Sequence, residues 1–113
     1  MTQTSESDID AFIDGLWLEH GLSRNTLAAY RRDLTLFAAW LQARRLALRD
    51  VGEHDLNGYF AERHEHTKAT TANRRLTVFK RFFRWALREH RVAADPTLKM
   101  LSARQAMRVP KTL

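Results

Sequence analysis

Residues 70–90 read TTANRRLTVFKRFFRWALREH, and the periodicity of this stretch decides the fold. At 100° per residue its apolar side chains cover more than half of a helix surface. They form a main stripe and three flanking positions: Leu76, Phe79, Phe83, Ala86 and Leu87, widened by Val78, Phe82 and Trp85. The remaining arc is basic and holds Arg74, Thr77, Arg81, Arg84 and Arg88, with Lys80 at its edge. The stretch therefore predicts the central helix of a small bundle, showing solvent only a basic strip.

Three further helical patterns precede this stretch. The first is predicted over residues 8–20 and stops at Gly21. The second opens at Ser23 or Asn25 and runs to about residue 44, with apolar residues spaced three and four apart. A shorter third helix is predicted over residues 53–65. Because the chain has only 4 Gly and 2 Pro, which argues against a β-sandwich or a low-complexity chain, the predicted fold class is all-α.

The composition limits the classes of protein that the chain can form. Its 113 residues correspond to one domain, and 44% of them are apolar, which is enough for a buried core. The absence of cysteine excludes disulfide frameworks, thiolate zinc sites and thiol nucleophiles. No apolar run approaches the roughly 18–20 residues that span a bilayer, and the acidic start is not a signal peptide. We therefore expect a soluble intracellular protein.

The formal net charge of +6 is unevenly distributed along the chain. Residues 1–20 sum to −5, residues 21–67 to +1 and residues 68–113 to +10. Lys and Arg side chains that neutralise phosphates release condensed counterions and gain binding free energy from that release. The basic C-terminal part therefore predicts a polyanionic partner, with a merely solvated basic surface as the alternative.

The basic strip of the helix over residues 70–90 favours nucleic acid over an ordinary exposed face. It almost lacks acids for i,i+4 pairing, and arginine, which suits forked contacts to phosphate or guanine, dominates over lysine. The second helix presents a matching arc of small, polar and basic residues: Ala28, Arg31, Arg32, Thr35, Ala39 and Gln42. Because an α-helix fits the major groove, the two helices are predicted to grip duplex DNA.

Other chemistry has little support in the sequence. His64 and His66 do not place a complete set of metal ligands on one helix face, so a solvated loop is predicted there and no metal site. Asp8, Asp10 and Asp14 are interpreted as partners of the helix dipole. Since no glycine-rich phosphate loop or nucleophile elbow occurs, we predict neither catalytic residues nor a cofactor.

Three ordered stretches carry a family resemblance. The first spans residues 17–41 and includes LSRNTLAAYRRDL at 22–34. The second contains KATTANRRL at 68–76 and KRFFRW at 80–85, followed by Asp95-Pro96, and the third is VPKTL at 109–113. Together they resemble the N-terminal segment of tyrosine site-specific recombinases, particularly the Xer recombinases. Phage integrases share much of the same pattern.

The resemblance implies a SAM-like core-binding domain, an orthogonal bundle of four to five helices that forms half of a C-shaped clamp on DNA. The implied layout is a flexible N-terminus over residues 1–7, the DNA-binding domain over residues 8–101 and a basic linker over residues 102–113 toward a catalytic domain. The helices that would cross the duplex correspond to residues 25–44 and 70–90. The DNA contacts expected from this layout and from the basic faces are Asn25, Thr26, Arg31, Arg32, Lys68, Thr70, Thr71, Asn73, Arg74, Lys80, Arg81, Arg84 and Arg88.

The resemblance also implies where catalysis takes place. Enzymes of this family attack the scissile phosphate with a tyrosine aided by Arg, His and Lys groups, all in a second domain after the linker. Tyr30 and Tyr59 lie at core positions of helical stripes, so neither is assigned as the nucleophile. The chain alone is therefore not expected to be an enzyme.

The implied partners are double-stranded DNA at a recombination half-site and, in a longer protein, other recombinase subunits, with a XerC-like partner in a heterotetramer on DNA. The acidic first helix would lie toward a neighbouring subunit. Strand exchange would resolve chromosome dimers at cell division, and the implied location is the bacterial cytoplasm, at the nucleoid. No membrane, small-molecule substrate or cofactor is implied. Two alternatives stay open: the DNA-binding domain of a phage or transposon integrase, and a helical protein-interaction module without a DNA role.

Overall fold

The computed structural model describes residues 3–100 and contains, within that range, helices and turns but no strand. The four main helices are α1 Gln3–Gly15, α2 Arg24–Gln42, α3 Glu53–Arg63 and α4 Ala69–Arg88. Short helical segments lie at Leu16–His20, Leu48–Asp50 and His64–His66. The predicted all-α class is confirmed. The predicted linker over residues 102–113 lies outside the described residues.

The first helix begins earlier than its sequence pattern predicted. α1 starts at Gln3 rather than Asp8, so helical structure extends into the segment that was predicted to be flexible. The reason is tertiary, because Ser5 is buried and its Oγ accepts a hydrogen bond of 3.0 Å from the backbone N–H of Leu48. The helical segment after α1 ends as predicted at Gly21, whose φ of 60° lies in the left-handed region that glycine adopts without a steric penalty.

The two following helices begin close to their predicted positions and end slightly early. For α2 the sequence allowed two start positions, and Ser23 is the cap, because its Oγ accepts a hydrogen bond of 3.2 Å from the backbone N–H of Thr26. α2 ends at Gln42. α3 ends at Arg63, and the residues up to His66 tighten into a 3₁₀ turn.

α4 lies at the centre of the core, as its apolar surface predicted. Its buried residues are Leu76, Val78, Phe79, Phe82, Phe83 and Ala86. Phe79 stacks on Phe37 of α2 with ring centroids 4.8 Å apart, and Phe82 meets Phe12 of α1 edge-on at 5.3 Å. Leu87 was predicted in the main stripe but is 38% exposed, because it lies at the edge of that stripe in the last turn of the helix.

A buried carboxylate joins three parts of the chain. Asp8 on α1 is 1% exposed and accepts two hydrogen bonds from Arg49, at 2.9 Å from Nε and 3.0 Å from Nη2. A third hydrogen bond of 2.7 Å comes from Nη1 of Arg91, in the segment after α4. The interpretation of Asp8 as a partner of the helix dipole is therefore wrong: because α1 begins at Gln3, Asp8 falls in the middle of the helix and faces two arginines.

The Asp8 cluster predicts a specific dependence of stability on pH. Burial alone would raise the pKa of the Asp8 carboxyl, but the hydrogen bonds and charges of Arg49 and Arg91 outweigh burial and hold that pKa below its usual range. Because the pKa of Asp8 is lower in the folded state, the ionised carboxyl stabilises the fold at pH values above the unfolded-state pKa of about 3.9. This stabilisation is lost as the pH falls through the folded-state pKa. Asp8→Asn should therefore be less stable than wild type at pH 7, and the difference should narrow below about pH 4.

Urea unfolding followed by circular dichroism at a series of pH values measures this difference. The exposed Asp10 provides the control, because Asp10→Asn removes an equal charge from the same helix at a solvated position. A stability difference between wild type and Asp8→Asn that stays constant from pH 7 to pH 2 would contradict the assignment.

Candidate nucleic-acid interface

α4 exposes a row of arginines on the side opposite its buried aromatic rings. Arg81, Arg84 and Arg88 recur three and four residues apart, and all three are exposed. Their side chains line one wall of a groove of about 230 Å³ between α4 and the end of α1. Apolar residues lie along the same groove: Phe12, Leu16 and Trp85. The predicted basic strip is therefore accessible over the C-terminal half of α4.

Seven of the predicted contact residues have side chains that make no hydrogen bond or ion pair with the described part of the chain, residues 3–100. Within residues 3–100 the following side chains form neither a hydrogen bond nor an ion pair: Asn25, Arg32, Lys68, Thr70, Thr71, Arg81 and Arg84. The guanidinium of Arg81 lies 5.9 Å from the ring centre of Tyr30 on α2. These side chains can exchange water for an external ligand without breaking a described polar contact.

Other predicted contact residues are held by contacts within the domain. Arg31 forms an ion pair with Asp10 of α1. Nζ of Lys80 donates a hydrogen bond of 2.6 Å to the carbonyl of Thr97, which holds the segment after α4 against that helix. Three further members of the predicted set have weaker or local contacts. Arg88 lies 3.7 Å from carboxylate oxygens of Glu19 and Glu89. The Thr26 hydroxyl accepts a hydrogen bond of 3.0 Å from Ser23 Oγ, and the backbone carbonyl of Asn73 accepts one from Thr77 Oγ1.

Arg74 is the most strongly engaged of the predicted set. Its Nε and Nη2 donate hydrogen bonds of 3.1 and 3.0 Å to the two carboxylate oxygens of Asp33 on α2. Asp33 is 1% exposed, whereas the Arg74 side chain is 45% exposed. The hydrogen bonds to Asp33 raise the pKa of the Arg74 guanidinium, so it stays fully charged.

Besides the stacking of Phe37 on Phe79, an ion pair and a cation–π contact join the predicted DNA-binding helices. Asp33 with Arg74, and Tyr30 with Arg81, both join α2 to α4. On α2 the arc around Arg32 is open, and its neighbours Ala28 and Ala39 are exposed. Small side chains beside an arginine allow a polyanion to approach the helix backbone closely.

The beginning of α4 adds positive potential. No acidic residue lies in its first turn, and its N-cap residue Lys68 makes no side-chain hydrogen bond to the helix. The partial positive charge of the helix N-terminus is therefore not neutralised by its own first turn. Lys68, Thr70 and Thr71 lie at this end.

Two arginines near the same end of α4 were not among the predicted contact residues. Arg63 and Arg75 line a cavity of about 160 Å³ between α3 and α4. The Arg75 side chain is 17% exposed, and its Nε is buried with no hydrogen-bond partner within residues 3–100. Helical spacing could have indicated this, because Arg75 shares the helix face of Phe79, Phe82 and Ala86.

The two tyrosines differ in their surroundings. Tyr59 is fully buried, and burial raises the pKa of its phenol above the ordinary value. Tyr30 is half-buried against the core.

Over residues 3–100 no three His, Asp or Glu side chains come together as metal ligands would. In the same range, no helix has the length and apolar character needed to cross a membrane.

The chain belongs to a family of small helical domains. The family is described as phage integrase, N-terminal SAM-like domain, and it matches residues 9–90, from α1 to just past the end of α4. This match covers the first stretch and the helical part of the second, and it confirms the SAM-like fold that the resemblance implied.

Similar proteins narrow the relationship to tyrosine recombinases named XerD. The protein from Ralstonia nicotianae is 62% identical over 110 residues, which cover 97% of this chain and 36% of the relative. The protein from Shewanella oneidensis is 40% identical over 116 residues, covering 100% of this chain and 39% of the relative. The protein from Pseudomonas putida is 42% identical over 106 residues, covering 93% and 36%. The chain thus spans little more than a third of the length of these relatives.

Proposed function

We propose that the chain binds duplex DNA through the exposed faces of α2 and α4, as the N-terminal domain of a XerD-like tyrosine recombinase. The observation that carries the proposal is the set of unpaired cations on these faces: Arg32, Lys68, Arg81 and Arg84 form no ion pair within residues 3–100. Neighbouring arginines of the same helices are paired with carboxylates. Charges left unpaired on two adjoining helix faces suit the regularly spaced phosphates of a duplex.

The complete recombinase would act on a recombination half-site and exchange strands to resolve chromosome dimers at cell division, in the bacterial cytoplasm at the nucleoid. Catalysis would belong to a second domain reached through the basic linker at residues 102–113. The surroundings of the tyrosines support this division, since Tyr59 is buried with a raised pKa and Tyr30 packs against the core. A buried phenol that resists ionisation is a poor nucleophile.

A neighbouring recombinase subunit is the proposed protein partner, such as a XerC-like chain in a heterotetramer on DNA. The end of α1 supports a protein contact, because Trp17 is 50% exposed and Leu18 is 79% exposed in the short helix that follows α1. Exposed apolar side chains of this size are typical of protein contact surfaces. The same observation would serve the alternative of an interaction module without a DNA role, so the test must measure DNA binding directly.

Fluorescence anisotropy with a labelled recombination half-site, titrated at several salt concentrations, tests the proposal. Wild type should bind with an affinity that falls steeply as salt rises. Arg81→Ala/Arg84→Ala should weaken binding about tenfold or more and lower the slope of log K against log salt by about 1.8, because each lost phosphate contact removes about 0.9.

The matched control is Arg44→Ala/Arg45→Ala, which removes the same net charge from two exposed arginines just after the end of α2, outside the proposed interface. Its slope should stay close to that of wild type. If wild type binds no duplex, or binds it without salt dependence, the proposed function fails. Equal losses in the two double variants would mean that net charge, and not this face, governs binding.

A further inference from the structure

Asp33 is a buried anion between the two helices of the proposed interface. Its side chain is 1% exposed, and both of its carboxylate oxygens accept hydrogen bonds from the guanidinium fork of Arg74. Nε of Arg75 lies 3.9 Å from the same carboxylate, too far for a hydrogen bond but close enough for electrostatic attraction. One carboxylate on α2 therefore faces two guanidinium groups on α4.

This arrangement limits what Arg74 can do for a DNA phosphate. A phosphate that took Nε and Nη2 of Arg74 would have to displace Asp33 and leave a carboxylate buried without its hydrogen-bond donors. Uncompensated burial of a charge is strongly unfavourable. Arg81 and Arg84, by contrast, can bind a phosphate without breaking any polar contact within residues 3–100.

The Asp33–Arg74 ion pair also affects how α2 and α4 are placed against each other at the proposed interface. Asp33 lies one turn before Phe37, whose ring stacks on Phe79 of α4, so the ion pair extends the contact between α2 and α4 beyond the aromatic core. Arg74 lies in the N-terminal half of α4, the half that also carries Thr70 and Thr71. A surface held in its binding geometry before the ligand arrives loses less conformational freedom on binding.

We infer that Asp33 and Arg74 are positioning residues: they hold α2 and α4 at the spacing in which both exposed faces fit one duplex, and Arg74 itself makes no phosphate contact. The inference rests on the proposed DNA binding and changes the role of one residue that the sequence placed among the contacts.

The test compares four variants in the salt-dependent anisotropy assay, each first shown by circular dichroism to be folded at the assay temperature. Arg84→Ala should lower the slope of log K against log salt by about 0.9. Arg74→Ala should weaken binding about tenfold at each salt concentration, with the slope unchanged. Arg74→Lys should resemble Arg74→Ala, because lysine keeps the charge that a phosphate would need but cannot form the forked pair with Asp33.

The fourth variant, Asp33→Leu/Arg74→Leu, replaces the pair with apolar side chains, a change that often preserves the packing of a buried ion pair. It should recover most of the affinity lost in Arg74→Ala, at the wild-type slope. The inference is overturned if Arg74→Lys binds like wild type, or if the slope falls by about 0.9 in both Arg74→Ala and the double variant. Should the double variant fail to fold, the comparison of Arg74→Lys with Arg74→Ala still decides. If wild type itself binds no DNA, the proposed function fails together with this inference. If wild type binds and only the Arg74 variants behave otherwise than expected, the inference alone fails.

Discussion

Phe79→Ala is expected to lower the free energy of unfolding by about 3–5 kcal/mol, the range found for removing a buried aromatic ring. Phe79 is fully buried, and its ring lies 4.8 Å from that of Phe37, 6.1 Å from Tyr59 and 5.7 Å from Phe60. The cavity would open where α2, α3 and α4 meet, because these rings come from all three helices. Small domains have only about 5–15 kcal/mol of stability in total, so the variant should be close to unfolding.

Urea denaturation monitored by circular dichroism measures this loss. Leu87→Ala is the matched control, since Leu87 lies on the same helix but is 38% exposed, and it should cost about 1 kcal/mol or less. A cost for Phe79→Ala as small as that of Leu87→Ala would contradict the central position of α4.

Arg49→Ala/Arg91→Ala should destabilise the fold by a similar amount, about 3–5 kcal/mol at pH 7, because it leaves the buried Asp8 carboxylate without its cations. Both arginines are distant in sequence from Asp8, so the loss should loosen α1 from the rest of the bundle. Arg88→Ala is the control, because its nearest carboxylates lie 3.7 Å away at exposed positions, where an ion pair contributes about 0–1 kcal/mol.

In the same double variant, the contribution of Asp8 to the pH dependence of stability should have the opposite sign to that in wild type. Without its cations the buried Asp8 carboxyl is expected to have a pKa above the unfolded value of about 3.9, so the folded state holds the proton more tightly than the unfolded state. Stability of the variant should then decrease as the pH rises through that interval, whereas in wild type the Asp8 contribution increases with pH. Parallel pH profiles for the two proteins would show that Asp8 is not the group responsible.

The positions of the helices were largely predictable from local sequence patterns, because the residues on the buried face of a helix recur every three to four positions. The apolar spacing in α4 predicted its central position, and Ser23 and Gly21 marked the boundaries of their helices. The start of α1 did not follow from a local pattern. Its first turn is held through Ser5 by the backbone of Leu48, a contact between residues that are 43 positions apart.

The proposed interface was predictable to the same extent. The row of Arg81, Arg84 and Arg88 on one face follows from their spacing alone. Two other arginines were predicted as DNA contacts on the same grounds but form ion pairs within the domain. Arg31 pairs with Asp10, 21 positions away, and Arg74 pairs with Asp33, 41 positions away. Nothing in the local spacing of either arginine indicates such a partner.

The sequence alone therefore predicted the all-α class, the central helix and the side of that helix that carries positive charge. This was possible because periodicity and charge are local properties of the chain. Packing of the helices determined which cations remain available to an external anion. An arginine is available only where no carboxylate from another helix reaches it, and that depends on how α1, α2 and α4 are placed against one another. The same packing turned Asp8 from an apparent surface acid into the centre of a buried cluster with Arg49 and Arg91.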